Sequence, residues 1–256
     1  MSGEKHSILR DNDSDPTFSA GSLVQGLLRN SPRSNLSITL GRNGLRIRFR
    51  PFTYDPIVLY SVLVEQIYGV PNSEFVVVDV GAHIGVFSIL AASHRVQTVL
   101  SFEPESSNFQ LLSENIRINQ FESVVKPYRL AIWSHDCSKT MYFSKGTAFH
   151  TFFPGRKNPG SPEEIQCRGI NSVLDQLAAP VMIKIDAEGS EHSIITSITN
   201  QNAEKIERIA MEYHVGNPDL RLYFSQIVDW LVSHGYDVLL HGRWKTLTAI
   251  KRPITR

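Results

Sequence analysis

The spacing of hydrophobic positions changes several times along the chain, and each change marks an element. Over residues 36–52 (LSITLGRNGLRIRFRPF) apolar and polar residues alternate on both sides of Asn43-Gly44, the pattern of two strands joined by a tight turn whose central residues take positive φ. From Asp55 and Pro56 the period lengthens. Val58, Leu59, Val62 and Leu63 recur at three and four, which predicts an amphipathic helix that ends near Gly69 and Pro71. This segment either covers one end of a sheet or shapes a substrate entrance, and its apolar stripe favours covering.

A different text begins at Phe75. FVVVDVGAHIG carries four apolar residues into Asp79, Gly81 and Gly85, as a buried parallel strand does when it ends in a tight turn and feeds a helix. IGVFSILAA is then apolar nearly all round, as in a helix packed between two layers. A second strand over 98–102 ends at Glu103-Pro104, a helix follows with Phe109, Leu112 and Ile116 at helical spacing, and a third strand lies over 124–131, before Trp133. After an irregular stretch, 136–167, in which TMYF and EIQC read as short strands, the alternation returns: helix 170–177, strand 181–185, helix 190–198, strand 206–212, and a helix that starts at Asn217-Pro218 and stops at Gly235. Strands 236–240 and 246–250 close the series as an antiparallel pair. Strand and helix in turn predict the α/β class with a doubly wound, mostly parallel sheet, here carrying an N-terminal hairpin-helix extension.

Composition narrows the partners. With 26 Lys and Arg against 25 Asp and Glu in 256 residues, the formal net charge is +1, so no global field draws in nucleic acid or an anionic membrane. A small neutral acceptor fits better. No apolar run reaches bilayer length, and MSGEKHSILRDNDSD has no signal-peptide pattern, so a soluble cytoplasmic protein is expected, with 1–16 as a mobile polar tail. Cys137 and Cys167 are the only cysteines. Two make neither a disulfide framework nor a four-cysteine zinc site, and reduced structural thiols are expected.

The ligand is constrained by what the glycine turn lacks. A dinucleotide fingerprint needs glycines at 81, 83 and 86, where the chain has Gly81, His83 and Val86, and GxxxxGK[ST] is absent. The turn therefore approaches a ligand without a phosphate cradle. Glu103 ends the next strand, 24 positions after Asp79, where an acid accepts hydrogen bonds from ribose hydroxyls. An adenosine ligand without phosphate suggests S-adenosylmethionine.

FVVVDVGAHIGVFS, FEPESSNFQLLSENI, IKIDAEGSEHSII and MEYH, taken together, resemble the successive motifs of the FkbM family of S-adenosylmethionine-dependent methyltransferases over about residues 55–240. The resemblance implies a seven-stranded class I methyltransferase sheet over 72–256; the hairpin and helix before it make 17–71 a cap, and the long Gly- and Pro-rich connection makes 144–168 a substrate lid. It also implies a cofactor site drawn from Asp79, Gly81, His83, Gly85, Glu103, Pro104, Asn108, Ala131 and Asp186, and methyl transfer to a hydroxyl of a sugar, glycoside or polyketide-type small molecule. The family most often has Asn where this chain has His83; both tolerate left-handed backbone better than most residues.

Methylating an alcohol requires a base or a metal to take its proton. Glu212-Tyr213-His214 ends a strand and puts Glu212 and His214 on one side, so Asp186, Glu212 and His214 are the catalytic candidates. Asp186, Glu188, Glu212 and His214 could instead gather a divalent metal, although no H-E-x-x-H spacing supports it. Glu188 and Glu191 also suit a helix N-terminus through its dipole. In the Gly- and Pro-rich stretch 146–162, His150, Phe149, Phe152 and Phe153 are candidates for acceptor binding, against the alternative of a disordered loop, and Glu188 is a further acceptor-binding candidate. Two rival functions stand beside this one. An N-methyltransferase would carry N/D-P-P-Y/F where the chain has DAEG, and a non-catalytic adenosine-binding domain would have no use for acids at the strand ends.

Overall fold

The computed structural model describes residues 36–40, 44–143, 150–151, 161–178, 180–213 and 218–253. The 1–16 tail, the first part of the cap, Phe149, Phe152, Phe153, His214 and Asn217 lie outside them. A hairpin opens the described chain: β1 (Leu36–Leu40) pairs antiparallel with β2 (Leu45–Phe49), Leu40 opposite Leu45. Its alternation is realised, since Leu36, Ile38, Leu40, Leu45, Ile47 and Phe49 are all buried. Helix α1 (Asp55–Leu63) follows. It stops at Leu63, short of the expected Gly69, because Gln66 and Gly69 both turn to positive φ.

The main sheet then builds outward from β3 (Val76–Val80), α2 (Val86–Ser93), β4 (Thr98–Phe102), α3 (Ser106–Ile118) and β5 (Val125–Tyr128). The chain next leaves this sheet. A continuous third strand over 124–131 was the expectation, but β5 reaches its last partner at Tyr128, opposite Phe102. Residues Ala131–Trp133 form β6, which pairs with a second sheet. That sheet also takes β7 (Cys137–Phe143), β8 (His150–Thr151) and β9 (Ser161–Gly169), in the order β6-β9-β7-β8. Residues 161–168 of the 144–168 segment lie in the strand β9, and Cys137 and Cys167 face each other across β7 and β9 as free thiols. Helix α4 (Ile170–Leu174), β10 (Val181–Ile185), α5 (Glu191–Ile195), α6 (Asn200–Ala203), β11 (Ile206–Glu212), α7 (Pro218–Ser233), β12 (Tyr236–His241) and β13 (Thr246–Lys251) complete the chain. Both α4 and α5 are shorter than the apolar pattern suggested, and α6 is an addition to it.

The seven-stranded sheet has the order β12-β13-β11-β10-β3-β4-β5. Only β13 runs against its neighbours, antiparallel to β11 and β12. Period-two alternation sends one set of side chains to each face. Val77, Val99, Met182 and Ala210 meet α1, α2, α3 and the hairpin, while Val78, Ile183, Ile185 and Ile209 meet α4, α5 and α7. Burying each of the Val, Ile and Met side chains contributes about 1.5–3 kcal/mol. Because β3 has β4 on one side and β10 on the other, the strand order reverses there, and the crevice beyond the carboxyl ends of β3 and β10 is where an open α/β sheet binds ligands.

Among the described residues no helix is long and apolar enough to cross a membrane.

Candidate active site

Beyond β3, the turn is built by backbone geometry. The Gly81 and Ala82 amides both donate to the Phe102 carbonyl, at 3.0 and 2.9 Å. Gly81 has φ +72°, and a Cβ there would stand 1.9 Å from the Asp186 carbonyl oxygen. His83 takes φ +52° and donates its amide to Glu103 Oε2 at 2.8 Å. Gly85, at the start of α2, has φ +88°, and its Cβ would strike Leu112 at 2.5 Å. So Gly81 closes the turn onto β10, and Gly85 lets α2 pack on α3.

A cavity of about 290 Å³ lies beside this turn, at the small end of the range of ligand sites. Gly81, His83, Glu103, Pro104, Asn108, Ala131, Asp186, Glu188 and Glu212 all line it. Asp79 and Gly85 do not. Asp79 is fully buried behind the turn, where it accepts from Ser88 Oγ at 2.6 Å and meets Lys184 Nζ at 3.1 Å. Gly85 stands at the start of α2, packed on Leu112. His150 is placed by its backbone in β8.

The cap contributes more than cover. Tyr54, Ile57, Val58, Ser61 and Val62 form one wall of the cavity, while Leu59, Val62 and Leu63 sit in the core. α1 therefore both covers the sheet end and shapes the entrance. Arg50, at the end of β2, locks this wall to the turn. Its Nε and Nη2 donate to the two oxygens of Asp55 at 2.9 and 3.0 Å, and Nη2 also reaches Asn108 Oδ1 at 2.6 Å. Burial alone would raise the Asp55 carboxyl, but the Arg50 hydrogen bonds override it and hold it below the usual carboxylate range. His83 Nε2 lies 3.4 Å from Asp55 Oδ1. Burial pushes the imidazole down to about 4, so His83 is neutral at pH 7.

Glu103 is buried, and burial pushes its carboxyl up to about 7 against the opposing bonds from the Glu105 and His83 amides and Asn108. Across the cavity, Asp186 Oδ2 accepts from the Tyr68 hydroxyl at 3.1 Å. Burial, then the Asp186 and Glu212 charges, raises the Tyr68 phenol well above its ordinary value, so Tyr68 stays a donor. Glu191 Oε1 accepts from the Gly189 and Ala187 amides at 3.0 and 3.3 Å, stapling its own turn. Trp244, from the β12–β13 turn, lines the cavity beside Glu212, and Lys184 lines its floor. Tyr68, Trp244, Arg50, Asp55 and Lys184 are site residues that the sequence pattern did not single out. Among the described residues no three His, Cys, Asp or Glu side chains gather as a metal site, and His214 lies outside them.

Residues 79–238 match the Methyltransferase FkbM domain model. The chain belongs to the FkbM methyltransferase family. The Methyltransferase sdnD of Sordaria araneosa is 23% identical over 179 residues, which cover 57% of this chain and 69% of that protein. The crystal structure of a Methyltransferase FkbM from Methylobacillus flagellatus KT superposes with a TM-score of 0.51 at 22% identity, over 75% of this chain and 47% of that one. The present chain thus spans about half the length of that structural relative. As an FkbM domain, this is a class I methyltransferase fold, and the cavity at its strand-order reversal is the candidate active site of an enzyme.

Proposed function

We propose that this FkbM domain uses S-adenosylmethionine to methylate a hydroxyl of a small molecule of the sugar, glycoside or polyketide type. The observation that carries the reading is the buried Glu103 carboxyl at the end of β4, lining the cavity beside a turn without a dinucleotide or phosphate-loop fingerprint. Residues present fit the cofactor. Glu103 is placed to accept from ribose hydroxyls, and Phe102, Ala131 and Ile132 give an apolar wall suited to an adenine. Four carboxylates (Glu103, Asp186, Glu188, Glu212) line the cavity, against Lys184 as the one Lys or Arg among the described lining residues. Lys184 is itself matched by Asp79, so the field favours a cation. S-adenosylmethionine supplies there an electrophilic methyl group on a sulfonium. Asp186, held by Tyr68, provides negative potential on that side, and the Glu212-Tyr213-His214 strand end is assigned proton removal from the acceptor hydroxyl.

Calorimetry with S-adenosylhomocysteine tests the cofactor assignment. Glu103→Ala should weaken binding by about 10- to 150-fold, the equivalent of about 1.5–3 kcal/mol for hydrogen bonds to a charged group. An unchanged affinity in a folded variant would defeat it.

The same acid gives a pH dependence. Ribose hydroxyls donate to the ionised form, and the carboxyl titrates at about 7 in the free protein. Affinity should therefore rise with pH through that value, about tenfold from pH 6 to pH 8 for a single proton. The sign for folding is opposite: the folded state holds a proton that the unfolded chain loses at its ordinary carboxyl value. Stability of the free protein should thus fall as pH rises from about 4.5 to about 7, which urea titrations at several pH values would read.

A further inference from the structure

We propose that Lys184 is the positioning residue of the cofactor turn, and that Asp79 serves as its counter-ion behind the turn rather than as a ligand contact. The proposal rests on the reading that the cavity takes S-adenosylmethionine. All five residues of β10 are buried, and Lys184 is the only charged one among them. A buried ammonium costs several kcal/mol unless it is paired and hydrogen-bonded. The sheet supplies the pairing. Lys184 is the register partner of Asp79 on β3, and Asp79 is the partner of Ser101 on β4, so a polar row crosses three strands on one face just beneath the turn.

Two of the ammonium's three donors go to main-chain carbonyls, and its charge is matched by the Asp79 ion pair. Lys184 Nζ lies 2.6 Å from the Gly81 carbonyl, 3.3 Å from the Val80 carbonyl and 3.1 Å from Asp79 Oδ1. Lys184 acts through the two carbonyls it holds. It holds the last carbonyl of β3 and the first of the turn. Val80 O also accepts from the Asp186 amide at 3.0 Å, which ties the exits of β3 and β10 together at one point. The same ammonium stands 5.2 Å from the centre of the Tyr68 ring, within cation–π range, and Tyr68 is the donor to Asp186. Asp79 extends the support to α2 through Ser88, whose hydroxyl is 2.7 Å from that of Ser101. One ion pair thereby fixes both sides of the cofactor cavity: the Gly81–His83 backbone and the Tyr68–Asp186 contact.

The test removes the pair without leaving a buried charge. In the double variant Asp79→Asn, Lys184→Met, hydrogen exchange at the Ala82 and His83 amides in the free protein should accelerate by about tenfold, as expected for the loss of a buried hydrogen bond. S-adenosylhomocysteine should bind about tenfold more weakly, while the thermal midpoint moves by only a few degrees. Exchange and affinity both at wild-type values would overturn the proposal. Weaker binding with unchanged exchange would overturn it too, since Lys184 would then be touching the ligand. If the wild-type protein itself fails to bind S-adenosylhomocysteine, the cofactor reading falls, and the exchange result still decides whether Lys184 holds the turn. Should the double variant not fold, NMR of the wild-type protein decides: a slowly exchanging Lys184 ammonium coupled to the Gly81 carbonyl supports the proposal, and its absence rejects it.

Discussion

Gly81→Ala should melt about 4–20 °C below the wild-type protein and lose measurable affinity for S-adenosylhomocysteine. The left-handed φ of +72° costs an alanine about 1–2 kcal/mol. A larger cost comes from contact. The new Cβ would meet the main-chain oxygen of Asp186 at 1.9 Å, and a backbone atom cannot rotate away as a side chain can, so β3 and β10 must separate at their exits. Overpacking of this kind costs about 1–3 kcal/mol more, and at about 2–4 °C per kcal/mol for a chain of this size the sum gives the stated shift. Gly44 is the control. Its φ of +67° is similar, but nothing lies within 4 Å of its Cβ position, so Gly44→Ala carries strain alone and should leave the cofactor site intact. Equal effects in the two variants would show that conformation, not contact with Asp186, is what Gly81 provides.

Positions that depend on one strand and the turn after it were legible in the sequence. Glu103 and Asp186 each follow an apolar strand directly, so both fall at the carboxyl edge whatever the strand order, and both line the cavity. Positions that depend on which strands are neighbours were not legible. Lys184 interrupts an apolar run, a signal that it needs a partner, but the partner is Asp79 only because β10 lies next to β3, and those strands are about a hundred residues apart. Tyr68 was silent for another reason. It follows α1 in a stretch without period, and its role comes from a hydroxyl that reaches Asp186, 118 residues away. The second sheet was half visible: TMYF and EIQC read as strands, but the departure of β6 from the main sheet is set by where β5 runs out of partner.

The end of β11 carries the other large expectation. Glu212 lines the cavity, its charge is felt at Tyr68, the donor to Asp186, and this strand end is assigned to the acceptor side of the proposed reaction. His214, two residues further in the sequence, lies outside the described residues and is assigned proton removal in the proposed reaction, an imidazole having a reference value of about 6.5. With an acceptor found by transfer of a labelled methyl group, His214→Ala should lower turnover by about 10²- to 10⁴-fold, the usual worth of a positioned base, and leave S-adenosylhomocysteine affinity unchanged. Glu212→Gln separates the roles. If Glu212 only orients His214, its variant should lose less and shift the pH–rate profile; if Glu212 is itself the base, its variant should lose the full factor and His214→Ala little. A metal acting in their place would show differently, because chelation would abolish turnover and added divalent ions would restore it. Wild-type turnover in both variants, with chelation also without effect, would remove this strand end from the chemistry and leave proton removal to His150 or to an acceptor that ionises unaided.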